Sequence, residues 1–224
     1  MAVVEFNTRI AHSHDDGSVR VNDDGTNSTL LESLSTLPVI RSSTGGGSSY
    51  WSYLRFTNVT IPKGQTFYSS RISLSTHRKN SFHTEGKTLR IYGVDTDNFA
   101  RPTTGRDIAT APLTTAYYDF TVRGKFSSYY LSVRDIVEEI TSRSGWVSGN
   151  AIGLIIKPMI TAPGYYSWSA NSYSNTYGLH YRPGLTARYD PTAPIEIPAG
   201  AEGSTTESVG TVIEPEITPE KAEA

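Results

Sequence analysis

The sequence predicts an all-β sandwich carrying one short helix, and three observations support that prediction. Several stretches alternate apolar and polar residues with period 2, the pattern of half-buried strands. Turn signals recur between them, including two Asp-Asp-Gly steps and the Gly45–Gly47 run. One stretch stands apart: in LSVRDIVEEITSRSG, Val133, Ile136, Val137 and Ile140 fall at i, i+3, i+4 and i+7. Ser132 with Asp135 supplies a start signal and Gly145 lies just past the end, so a helix is expected at about 132–142. Strands and turns outweigh that one helix, which makes the layer architecture sheet on sheet.

The elements follow in order. VVEFNTRI (3–10) is a short strand. In SVRV, between the two Asp-Asp-Gly turns, Val19 and Val21 share a face. LESLSTLPVIRSS carries Leu31, Leu34, Leu37 and Val39, and Pro38 marks it as a strand or irregular edge. GGGSS (45–49) is a loop. In YLRFTNVTI, Leu54 and Phe56 share one face and Val59 and Ile61 the other, a parity switch that suggests a bulge near Thr57 or Asn58. TFYSSRISLSTH places Ile72 and Leu74 together, with Arg71, Ser73 and Ser75 opposite. KTLRIYGVD pairs Leu89 with Ile91. AIGLIIKPMI is apolar on both faces, as a central strand requires, and GLHYRPGLTARYD is a last strand. The expected core is Phe56, Ile61, Leu74, Ile91, Ile136, Ile140, Trp146, Leu154 and Ile156.

The 224 residues suit one domain plus an arm. A body at 1–190 is large enough to bury roughly 70% of its unfolded surface without disulfide or metal staples. Cysteine is absent, which excludes disulfide scaffolds, Cys-ligated zinc and thiol nucleophiles. MAVVEFNTRIAHSHDDG has no basic region and no long apolar run, so no signal peptide is expected. No apolar run approaches the length of about 18 residues that a membrane span needs, so no membrane partner is expected. Residues 198–224 hold six Glu and one Lys, a net −5 within a chain of net −2, which leaves the rest near +3. That balance lacks the concentrated basic stripe of a nucleic-acid binder. The tail, 191–224, is rich in Pro, Gly, Ser, Thr and Glu and has little to bury. Its short apolar beads (Ile195/Ile197, Val209/Val212/Ile213, Ile217) suit an extended assembly arm laid on a neighbour.

Three motifs stand in order along the body: YLRFTNVTIP (53–62), IYGVDTDNFARP (91–102) and SGWVSGNAIGLII (144–156). Together they resemble a β-sandwich, jelly-roll-like module of tailed-bacteriophage structural proteins and some bacterial surface proteins, similar in style to carbohydrate-binding modules. That module reads RF.NV.IPqGa.I..A.L, then I.G.D.DNA, then IVqEIv.R.GW.sGNAl.l.I. The resemblance covers about residues 10–190. It implies that the helix closes one end of the sandwich and leads into a Trp-Gly-Asn corner. The chain departs from the pattern in the polar LSTHRKNSFH and in its arm. The implied role is a non-enzymatic virion protein. A capsid decoration or cement protein is favoured, because the chain holds one module and no shaft repeats. Other virion proteins or further copies of the chain are the expected partners. The alternative is a carbohydrate- or receptor-binding module of a phage tail protein or a secreted enzyme.

Candidate chemistry is sparse, and no catalytic residue is expected. His12 and His14 have the alternation of a metal pair but lack the further ligands of a cupin-like site, so an exposed pair before an Asp-Gly turn is the favoured reading. No G-x-S-x-G setting and no phosphate-binding loop occurs. Asp95, Asp97 and Asn98, with Asp15 and Asp16, offer oxygen ligands suited to Ca²⁺, while an Asx-rich turn accounts for the same residues. No other cofactor is expected. The run YYSWSANSYSNTYGLHY offers Tyr165, Tyr166, Trp168, Tyr173 and Tyr177 as a subunit contact surface, as core, or as a sugar-stacking face.

Overall fold

A computed structural model describes residues 3–22, 28–32, 36–42, 48–76, 85–123, 128–159, 165–172, 174 and 182–191. Among these, twelve strands and two helices form a β-sandwich. The smaller sheet contains β1 (Val4–Arg9), β12 (Gly184–Tyr189), β6 (Phe67–Ser75) and β9 (Ser128–Ser132), in that order. The larger runs β11 (Tyr165–Asn171), β4 (Thr36–Ser42), β5 (Ser48–Phe56), β10 (Ile152–Pro158), β7 (Thr88–Val94), β8 (Leu113–Thr121). Beside β5 lies β2 (Asp16–Asn22), and β3 (Ser28–Glu32) pairs with β2. The chain crosses repeatedly between the two sheets, as a jelly-roll-like path does.

The alternation read from the sequence sorts side chains as expected. All nine expected core residues are at most 2% exposed. They pack between the sheets with Ile72, Leu131, Leu185 and Ala187 from the smaller sheet. β10 is central: Leu154 pairs with Leu54 on one side and Gly93 on the other. Its even residues Ile152, Leu154 and Ile156 face this core. Ile155 points the opposite way, into a second cluster with Val19, Val21, Tyr53, Val94, Phe99 and Ile108. Burial on both faces is why this strand lacks alternation.

Several local expectations need correction. The segment after Phe56 is not a bulged continuation of β5: the strand ends there, and Asn58 turns the chain with a left-handed φ of 52°. Asn tolerates that region better than most residues. LESLSTLPVIRSS divides into the end of β3 and β4. Pro38 lies on a strand inside the larger sheet, not at its edge, but ahead of the Ile40–Ser42 stretch that pairs with β5. Its carbonyl accepts the hydroxyls of Ser18 (3.2 Å) and Ser52 (2.9 Å). The expected helix is α2 (Arg134–Ser142). Its N-cap is Val133 with no side-chain cap bond, because Ser132 still belongs to β9. A further helix, α1 (Gly105–Ala109), begins at a Thr104–Asp107 capping box and packs on β2 and β3, covering the second cluster. The LSTHRKNSFH stretch lies largely outside the described residues, as do residues 192–224.

Candidate functional site

The three motifs converge at one end of the larger sheet. The Gly149 amide donates to the Val59 carbonyl (2.9 Å), and the Val59 amide donates to Asn150 (3.0 Å). The Trp146 indole donates to the Ile61 carbonyl at 3.0 Å. These bonds tie the chain after β5 to the corner before β10. Gly149 sits at φ 102°, in the left-handed region that favours glycine. The same corner reaches the middle motif. Asn150 Nδ2 donates to the Asp97 carbonyl (3.0 Å), and the Asn98 side chain accepts the Ala151 amide (2.9 Å).

Arg143, just past α2, completes the knot. Its Nε donates to Asp97 Oδ1 at 2.8 Å, and its Nη1 donates to Asp95. These bonds, from Asp97 first and Asp95 second, hold the guanidinium above its ordinary pKa. A Cβ on Gly145 would run into the Asp97 carboxylate, so glycine leaves room for the Arg143 pair. Asp95 and Asp97 thus face a guanidinium where the calcium reading put a metal ion. Asn98 is engaged with backbone, but with the distant Ala151 amide rather than with its own turn, so the bond is a long-range tie and not a local Asx turn. Asp15 lies elsewhere, 3% exposed at its side chain, with Arg55 Nη1 2.6 Å away. Arg55 Nε reaches on to the Phe99 carbonyl (2.8 Å). No group of three His, Asp or Glu able to hold a metal occurs among the described residues. His12 is exposed and His14 half-buried, in a turn where His14 Nδ1 lies 3.4 Å from Ser13 Oγ.

The aromatic run does not form one surface. Trp168 is fully buried, stacked edge-on against Phe120 (5.8 Å) and Tyr129 (6.1 Å). Its place as a contact residue is therefore corrected to core, because on β11 it lies on the inward face. Tyr166 is half-buried with Lys87 Nζ over its ring at 5.0 Å. The side chain of Tyr165, and Tyr173 and Tyr177 entirely, lie outside the described residues. So do the arm positions Ile195, Ile197, Val209, Val212, Ile213 and Ile217.

A surface that sequence reading missed crosses four strands of the larger sheet. Trp51 on β5, Lys157 on β10, Arg90 and Tyr92 on β7, and Tyr117 and Asp119 on β8 form one stripe on its outer side. The pairings Lys157↔Arg90, Arg90↔Asp119 and Tyr92↔Tyr117 align them. Lys157 Nζ stands 3.8 Å from the centre of the Trp51 ring and 5.5 Å from that of Tyr92. The Arg90 guanidinium lies 3.7 Å from the Tyr117 centroid. It also grips Asp119 with two bonds, 2.6 and 2.7 Å. The Asp119 bond, then the one to Tyr92, raises the Arg90 pKa, and Arg90 in turn lowers that of Asp119. Lys157 differs: burial lowers its pKa, and it has no ion pair among the described residues. Tyr117 is 51% exposed. Around the corner, a groove of about 580 Å³ opens between the β8 and β9 edges, bordered by Asp119, Phe120, Tyr129 and Tyr130.

The described carboxylates with close partners have structural work to do. Asp15 holds Arg55, Asp95 and Asp97 hold Arg143, and Asp107 caps α1. Glu139 accepts the backbone amides of Thr115 and Ala116 at 2.8 Å each, fixing α2 to β8. No family model matches the chain, and no curated protein matches it.

Proposed function

We propose that this chain is a non-enzymatic structural protein of a tailed-phage virion, a capsid decoration or cement protein that binds neighbouring subunits through its body and its C-terminal arm. The supporting observation is how the motif residues are used. Trp146, Asn150, Asn98, Asp97 and Arg143 are consumed in bonds to one another or to nearby backbone that build the sandwich end. They are fold determinants, and fold determinants do not define a reaction. What the body offers to solvent is an aromatic and cationic sheet face, and the sequence appends an acidic, bead-bearing tail. An adhesive surface of this kind suits assembly.

The carbohydrate-binding alternative draws on the same row of Trp51, Tyr92 and Tyr117. Sugar stacking needs free ring faces, and Lys157 and Arg90 each cover one. Quantitative mass spectrometry of purified particles tests the proposal: many copies per particle support decoration, and absence refutes it. Deleting residues 191–224 should leave the melting temperature of the isolated body nearly unchanged and sharply weaken attachment. Undiminished decoration by the truncated chain would remove the arm from the reading. Specific retention on an immobilised glycan would favour the alternative.

A further inference from the structure

We propose that the acidic C-terminal arm of a neighbouring copy docks across the Trp51–Lys157–Tyr92–Arg90–Tyr117 stripe on the outer side of the larger sheet. This rests on the assembly-arm reading above and adds where the arm goes.

Three observations carry it. The first is an unanswered cation. Arg90 has its carboxylate in Asp119, whereas the neighbouring Lys157 faces only the rings of Trp51 and Tyr92 among the described residues. A half-buried ammonium without an anion is costly, and a carboxylate brought to it gains more than at an open surface. Its lowered pKa has the same origin.

The second is complementarity. The stripe alternates ring and cation. The arm alternates apolar bead and carboxylate, with Glu207 before Val209, Val212 and Ile213, then Glu214, Glu216 and Ile217. An extended segment sends successive side chains to opposite sides, so Glu207, Val209, Ile213 and Ile217 share one side and can bring a carboxylate and three beads to the ammonium and rings together. The surplus of charge also matches, with −5 on residues 198–224 against about +3 on the rest.

The third is reach and direction. The described chain ends at Pro191, directly after β12 of the smaller sheet. The stripe lies on the far side of the larger sheet. Residues 192–224, fully extended, span at most about 110 Å at roughly 3.3 Å per residue. That far exceeds the spacing of about 10 Å between packed sheets. A tail rooted on one side and a receptor on the other make a head-to-tail, heterologous contact, which propagates or closes into a ring. Such contacts suit a protein that tiles a surface.

The test uses the full chain. Light and ¹⁵N-labelled chains are mixed and treated with a carbodiimide, which joins a lysine amine to a carboxylate. Mass spectrometry should find Lys157 linked to Glu202, Glu207, Glu214 or Glu216 in mixed light–heavy pairs, and 0.5 M salt should suppress them. Lys157→Gln should weaken self-association at least tenfold by sedimentation. Because that change could disturb the sheet, a second variant leaves the body untouched: Glu202, Glu207, Glu214 and Glu216 all changed to Gln should have the same effect. Arm links to other lysines with Lys157 unmodified would overturn the proposal. Links found solely within one chain would overturn the neighbour assignment, and unchanged association of either variant would overturn the docking. These outcomes separate from the assembly reading. Chains missing from particles would sink decoration while leaving the cross-link standing. Arm-dependent attachment without the Lys157 link would sink the stripe alone.

Discussion

Leu154→Ala probes the centre of the sandwich. Leu154 is fully buried on β10, hydrogen-bonded into the sheet through β5 on one side and β7 on the other. Truncation removes the equivalent of three methylenes, worth about 2.4 kcal/mol at roughly 0.8 kcal/mol each. That figure assumes the surroundings collapse fully into the gap. Here collapse is hindered, because both flanking strands are locked in register and α2 is fixed to β8 through Glu139. An unrelaxed cavity carries the cost toward about 5 kcal/mol. The expected loss is therefore about 3–5 kcal/mol, in the upper part of the range for such changes. Equilibrium urea unfolding followed by tryptophan fluorescence measures it, since Trp146 and Trp168 are both buried and will report the transition. The midpoint should fall while the slope with denaturant stays constant. A loss below about 1 kcal/mol would mean that the site repacks freely and that β10 is not the rigid centre described.

Two further outcomes concern charge. Arg143→Gln leaves Asp95 and Asp97 without their cation, so added Ca²⁺ should raise the melting temperature of the variant and not of the parent; equal shifts in both would show that calcium acts elsewhere. Asp107 has its pKa lowered, first by the Thr103 amide and next by the Thr104 amide, so its contribution is present above the ordinary carboxylate value and fades as pH falls through the lower folded value. Asp107→Asn should therefore melt below the parent at pH 6, with the gap closing in acid below pH 4; a pH-independent gap would argue against the charged capping box.

What the sequence disclosed follows physical lines. β6 and β7 were legible because each alternates a buried residue with a more exposed one, and burial of one face writes alternation into the residues. α2 was legible through Ile136, Val137 and Ile140, all buried against the core. α1 was not, since five residues are too few for a helical period, although Thr104 and Asp107 carry a capping-box signature. β8 was hidden because Tyr117 and Tyr118 are adjacent and both aromatic, yet Tyr117 is half-exposed and Tyr118 packs toward the core. Chemical type alone cannot separate them. The Asp95/Asp97 pair illustrates a different limit. Local spacing proposed a cation and could not see that Arg143, 46 residues past Asp97, would supply it.

The aromatic residues make the same point about surfaces. The densest aromatic run in the sequence, 165–181, sends its tryptophan to the core, because β11 turns that face inward beside Phe120 and Tyr129. The stripe that does face outward gathers Trp51, Tyr92 and Tyr117 from three strands far apart in sequence. Sheet pairing sets them side by side: β5 against β10, β10 against β7, β7 against β8. A helix surface repeats locally and can be read from neighbours in sequence, but a sheet surface runs across strands and depends on their order. Strand order rests on long-range contacts that no short window contains. For a sandwich of this kind, the fold is thus written in local patterns and the binding face in topology. Lys157 is the residue where the two meet: it breaks the apolar run of β10, and that break, a cation near the end of a strand otherwise buried on both faces, is a local mark of the outer stripe that only the strand order makes readable.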